Sequence, residues 1–158
     1  MLALARWLSE TAASGAIRQI DGLVPVLQTI HILAIAIVLS SVLMVDLRVL
    51  FARPAMPPPQ DVARRFEAWI WSGLIVLAAS GAPLIVAEPQ RTLLNVSFQI
   101  KMALIVVAAV ATYVLLQSLR RSADARRAVG PRFLAGGTLI LWCMVAAAGR
   151  FIAYTQPG

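Results

Sequence analysis

Four apolar runs dominate this chain, roughly Leu23 to Asp46, Ala68 to Ala87, Val96 to Leu119 and Phe133 to Tyr154. A helix needs about 20 predominantly apolar residues to cross a bilayer, and each run is long enough to do so. Inside lipid every backbone polar group must be satisfied within the segment, so runs of this kind are expected to be helices. With 60% hydrophobic and 13% charged residues, the chain is not an ordinary soluble domain, whose apolar share is typically about 45 to 50%. The connections are short, which favours sequential neighbours packed antiparallel. The expected fold is therefore all-α integral membrane, an up-down-up-down four-helix transmembrane bundle over residues 21–158.

Residues 1–20 form a separate expectation. This stretch lacks a basic start and a continuous apolar core, and Glu10 interrupts it, so it is not read as a signal peptide. As a helix it would group Met1, Leu4, Trp7 and Leu8 on one face, the pattern of a short amphipathic helix lying in the interface.

The net charge of +7 is distributed by loop. Arg48, Arg53, Arg64 and Arg65 lie between the first two runs, and Arg120, Arg121, Arg126, Arg127 and Arg132 between the last two; Arg6, Arg18 and Arg91 belong to the opposite side. Excess arginine marks cytoplasmic loops. The expectation is a bacterial inner (cytoplasmic) membrane protein with both termini periplasmic, and the basic charge is a topology signal with no nucleic-acid partner implied. Cys143 is the single cysteine and falls inside the fourth run, which excludes an intramolecular disulfide and a Cys-rich metal site.

Local features refine the helices. Pro25 falls in the first turn of the first run, where a missing N–H costs nothing. The stretch "RPAMPPPQD" reads as a non-helical loop, with Asp61 capping the approach to the second run. Within "SGAPL", Pro83 removes the bond to the Ala79 carbonyl and Gly81 loosens the same turn, so a kink is expected, with Ser80 available to that carbonyl. "EPQRTLLN" reads as a short loop.

Ionisable side chains inside a bilayer are costly and are functional candidates by default. His31, the only histidine, lies about 12 Å below the outer end of its helix, with Lys101 about 7 Å and Arg150 about 6 Å deep, from the helical rise. Gln28 stands one turn from His31, and Tyr154 one turn from Arg150. Small residues mark close helix approach, so a stripe of Gly136, Cys143, Ala146 or Ala147 and Arg150 is expected to face inward. Converging faces would make an outward-opening cationic pocket suited to an anion, a carboxylate, a quinone oxygen or a haem propionate. Snorkelling of Lys101 and Arg150 to the headgroups, with His31 hydrogen-bonded to Gln28, Thr29 or a neighbouring helix, is the alternative. At the inner end, Asp46 is expected to pair with Arg64, Arg65 or Arg120 and Arg48 with Glu67, as a structural clasp. Trp142 reads as packing.

The blocks "IHILAIAIVLSSVLMVDLRVL", "NVSFQIKMALIVVA" and "GRFIAY" resemble, in this order, an uncharacterised family of small four-helix bacterial inner-membrane proteins. More distantly the chain is similar to copper-resistance D-type membrane proteins, which also open a span with a histidine in an apolar run. The resemblance implies a fold and a location, and places His31, Asp46, Arg48, Lys101, Gly149 and Arg150 in recurrent blocks.

Three functional readings follow. The first is a non-enzymatic membrane subunit or accessory protein of a redox or metal-handling system, its pocket holding a small ligand or a periplasmic or membrane protein partner, as a monomer or homo-oligomer. The second is a haem b or quinone-binding electron carrier using His31, which is also the one candidate ligand for copper; Met102, Met144 or Lys101 would have to complete a haem site. The third is a small transporter or channel, favoured slightly by the kink. No paired carboxylates at catalytic spacing, no nucleophile with a histidine in reach and no nucleotide-binding motif is present, which points away from an enzyme.

Overall fold

The apolar runs are helical over their whole length and beyond it. A computed structural model of the chain describes residues 6, 7, 9, 11, 15, 17, 19–53, 55–87, 89–121 and 129–154, without the side chains of 90, 91 and 150–154. Its helices are α1 (Leu23–Leu50), α2 (Pro59–Ala87), α3 (Pro89–Leu93), α4 (Val96–Arg121) and α5 (Val129–Tyr154). Four of them, α1, α2, α4 and α5, are long and apolar enough to cross a membrane.

Helix ends follow local chemistry. Gly22 enters α1 with φ 85, a left-handed conformation that glycine adopts without a Cβ penalty. Asn95 starts α4 by accepting the Ser97 N–H on Oδ1 at 2.8 Å and the Phe98 N–H at 3.4 Å. Two boundaries differ from the sequence expectation. α2 begins at Pro59, well before the apolar run, because proline is pre-set for a first helical turn; Asp61 lies inside that turn and not at the cap. The stretch read as a loop between the second and third runs carries the short helix α3. The interfacial helix expected over residues 1–20 falls mostly outside the described residues; of those described, Arg6, Trp7 and Ser9 are helical and Trp7 is exposed.

α1 packs most extensively on α2 and α4 on α5; α1 also meets α5, while α2 and α4 touch most lightly. The α1–α2 contact is close because Gly73 offers no side chain: a Cβ there would lie 2.6 Å from Val38 Cγ2. His31 meets Ser80 in the same pair, so seven residues forward on α1 correspond to seven residues back on α2. The buried centre holds Val38, Val42, Val45, Ile70, Leu115 and Trp142.

The polarity of the bundle is that of a protein in lipid. Ile32, Ile75, Val106 and Ile140 are each at least 60% exposed, a distribution that water would penalise and acyl chains do not. Conversely, Ser41, Asp46, Ser80, Thr112 and Thr138 are buried between helices. Hydroxyls without water need partners inside the bundle, and Thr112 shows the pattern. Its hydroxyl donates to the Ala108 carbonyl at 2.8 Å and accepts the Trp142 indole N–H at 3.0 Å, tying α4 to α5.

One expectation about facing is overturned. On α5 the inward residues are Ala135, Thr138, Trp142 and Val145, whereas Cys143, Ala146 and Ala147 are exposed. Small size marks close approach only where a neighbouring helix arrives, and here α4 and α1 arrive on the Thr138–Trp142 side.

Candidate functional site

The His31 ring is the best-defined polar feature in the apolar part of the bundle. Its Nδ1 lies 2.8 Å from Ser80 Oγ, and Ser80 Oγ lies 2.7 Å from the Val76 carbonyl oxygen. The single hydroxyl proton of Ser80 has both Nδ1 and the Val76 carbonyl in reach. Directed to Val76, it leaves Ser80 to accept from His31, with the ring's proton on Nδ1. In the neutral ring this leaves Nε2 as the acceptor, available to a donor or a Lewis acid.

The position of the ring follows from the local sequence of α2. A Cβ at Gly81 would lie 3.2 Å from His31 Cε1, so the missing side chain lets the imidazole rest against the helix backbone. Pro83, two residues on, has no N–H for the Ala79 carbonyl. Ser80 does not serve that carbonyl, as the sequence suggested, because its proton is already directed one turn earlier to Val76. Of the partners considered for His31, a neighbouring helix provides the hydrogen bond. Gln28 is exposed, and Thr29 donates to the Pro25 carbonyl of its own helix at 2.9 Å.

Lys101 joins this end of the bundle. It is partly buried, within Coulombic range of the His31 ring, and its Nζ lies 3.8 Å from where a Cβ on Gly149 would stand. The region thus draws on His31 from α1, Ser80 and Gly81 from α2, Lys101 from α4 and Gly149 from α5. Two of the three cationic candidates are near each other; the side chains of Arg150 and Tyr154 lie outside the described residues. The ammonium suits a negative or carbonyl oxygen, and the ring acceptor suits a donor on the same ligand. Among the described residues no three His, Cys, Asp or Glu side chains gather to hold a metal ion.

The far end of the bundle is arranged differently from the expected clasp. Asp46 is fully buried and takes the Thr138 hydroxyl on Oδ1 at 2.9 Å, while Oδ2 has no partner among the described residues. No guanidinium from Arg64, Arg65 or Arg120 pairs with it, since Asp46 points at α5 and those arginines ride the exposed faces of α2 and α4. Glu67 pairs with Arg120 instead of Arg48. Arg48 turns to the following loop, donating to the Pro57 carbonyl at 2.6 Å and the Arg53 carbonyl at 3.3 Å. Three prolines leave that loop poor in donors but rich in acceptors, which suits a guanidinium.

Sequence reasoning missed Thr138 and Thr112, and it gave Ser80 the wrong partner. The available signal was a hydroxyl in the middle of an apolar run, a residue type that glues membrane helices.

No curated protein and no solved structure matches the chain. A family model matches residues 6–155, from the N-terminal segment into the end of α5, and by that match the chain belongs to a family of unknown function, DUF6644.

Proposed function

We propose that this protein is a non-enzymatic membrane subunit or accessory protein of a redox or metal-handling system, whose His31–Lys101 region holds a small anionic ligand or an acidic group of a periplasmic partner. The helices run alternately up and down in a bacterial inner membrane. The opposed contact order of α1 and α2 supports this alternation. Both termini are external and the arginine-rich loops cytoplasmic, supported by the clustering of arginine around residues 48–65 and 120–132. The N-terminal segment lies in the outer interface with Trp7 at headgroup depth.

The observation that carries the reading is an imidazole fixed against Ser80 and Gly81 at the end of the bundle where the partly buried Lys101 ammonium rests against Gly149. The Lys101 ammonium, held in an apolar surrounding, attracts negative charge, and the free ring nitrogen accepts a donor, so the two together suit a small anionic ligand that also carries a donor. A purely structural histidine would need no such neighbour.

The single histidine makes the test direct. With 15N-labelled histidine in detergent-purified protein, the two ring nitrogens report on His31 alone. Benzoate, as a carboxylate probe, and decyl-ubiquinone, as a quinone probe, are titrated separately. A saturable shift of the Nε2 signal that Lys101→Ala abolishes supports the reading. Unchanged ring signals with both probes refute it.

A second reading has His31 Nε2 holding the iron of haem b or, as the copper-resistance D resemblance suggests, copper. The Nδ1–H···Ser80 bond favours it, because ligating histidines donate their other ring N–H to a fixed acceptor. Oxidised and reduced absorption spectra after haem addition test the first form and metal analysis the second. No Soret shift and no copper eliminate both.

A further inference from the structure

A second polar place lies at the opposite end of the bundle, between the start of α2 and the end of α4. Gln60, Ala63, Arg64 and Glu67 from α2 and Leu116, Leu119 and Arg120 from α4 line a shallow, partly open dent. We infer that this dent binds the headgroup of an anionic phospholipid with free hydroxyls, of the phosphatidylglycerol type, with an acyl chain lying along the α2–α4 seam. The inference rests on the bundle spanning a bilayer and is independent of the His31 site.

Four observations converge on this occupant. The rim is cationic: Arg64 and Arg120 line it, and Arg65 and Arg121 are exposed beside it. Glu67 pairs with Arg120 and Asp61 is exposed one turn before Arg64 and Arg65, so the acids offset part of the charge and leave an excess for a phosphate. The floor is apolar, with Ala63, Leu116 and Leu119 buried beneath the arginines. A surface that is basic above and aliphatic below has the polarity of a lipid at the membrane interface, where basic pockets between helices take anionic headgroups.

The seam is also the most lightly packed of the four long-helix contacts, so α2 and α4 leave room on their lipid-facing side. Finally, Gln60 Oε1 is buried and has no hydrogen-bond partner among the described residues. A buried acceptor without a donor is costly, and a glycerol hydroxyl next to the bound phosphate would supply one. Phosphatidylethanolamine brings a donor too, but its ammonium would stand among guanidinium groups. The dent is shallow, so the phosphate lies across its rim, and the partly exposed Gln60 side chain turns outward to meet the glycerol hydroxyl.

Native mass spectrometry of the intact protein, released from detergent with added lipid of matched acyl chains, tests this. The wild type is expected to retain phosphatidylglycerol at least about five-fold better than phosphatidylcholine or phosphatidylethanolamine, on the scale of one surface cation per headgroup. Arg64→Gln should remove most of that preference, and Gln60→Leu should lower phosphatidylglycerol retention without touching any charge. The double variant Glu67→Gln/Arg120→Gln avoids an unpaired acid and should also weaken retention. His31→Ala should keep the full preference, which separates this site from the proposed ligand site. Equal retention of the three lipids by the wild type overturns the inference. Unchanged preference in both Arg64→Gln and Gln60→Leu does the same. Displacement of phosphatidylglycerol by millimolar inorganic phosphate makes the dent a soluble phosphate site and overturns the lipid assignment.

Discussion

Replacing Gly73 by alanine tests the contact that sets the register of α1 against α2. The new Cβ would stand 2.6 Å from Val38 Cγ2 and 3.7 Å from the Ala34 carbonyl oxygen. Carbon atoms prefer about 3.5 to 4.0 Å, so a gap of about 1 Å must open. Val38 is fully buried and β-branched, and its rotamer in a helix is nearly fixed, so it cannot turn aside. The helices separate instead. Inside lipid there is no transfer term to lose, since acyl chains are as apolar as the core, and the cost comes from forfeited packing. Overpacking of this kind costs about 1 to 3 kcal/mol, against which alanine recovers up to about 1 kcal/mol of helix propensity. Val38→Ala removes the opposing methyl, so the double variant should be more stable than the sum of the single effects by about 1 kcal/mol or more. Heat or detergent unfolding followed by the fluorescence of Trp69 and Trp71, both within four residues of Gly73, reads the cycle. Strictly additive effects would refute the close approach and with it the register that brings His31 to Ser80.

Two further outcomes follow from the same geometry. Gly81→Ala places a Cβ 3.2 Å from His31 Cε1, so the ring must yield by a few tenths of an ångström; the 15N signal of Nδ1 should move while helix content stays constant, and an unmoved signal would place the ring elsewhere. Thr138→Val removes the hydroxyl donor of a fully buried Asp46 whose Oδ2 has no partner among the described residues, which should destabilise the protein by about 1 to 3 kcal/mol in an unfolding titration. Adding Asp46→Leu should recover most of that loss, because replacing both partners of a buried polar pair by apolar groups is close to neutral; no recovery would mean the carboxyl has partners beyond Thr138.

The sequence announced the residue at the centre of the candidate site but not what holds it. A lone histidine in an apolar run is conspicuous, and so is a lysine in the first turns of another, whatever they touch. Ser80, by contrast, read as a helper of the Pro83 kink, because nothing in a linear sequence says that α2 turns this serine toward α1. The clasp failed for a related reason. Arg48, Glu67, Asp46 and Arg120 all lie near one end of the bundle, and charge alone allows several pairings; the rotation of each helix chose Glu67 with Arg120 and Asp46 with Thr138.

By itself the sequence determined four helices long enough for a bilayer, the place of the arginines and the apolar character of every face, because length, hydropathy and loop charge act through one-dimensional preferences that need no partner. Only the tertiary structure decided which face of each helix looks inward. Runs apolar all round carry little rotational signal, and the outcome rests on a few contacts: Gly73 against Val38, Gly81 against His31, Thr112 with Trp142 and Thr138 with Asp46. In lipid the outward apolar side chains are indifferent to rotation, so close packing at glycine and hydrogen bonds between buried polar groups choose the arrangement.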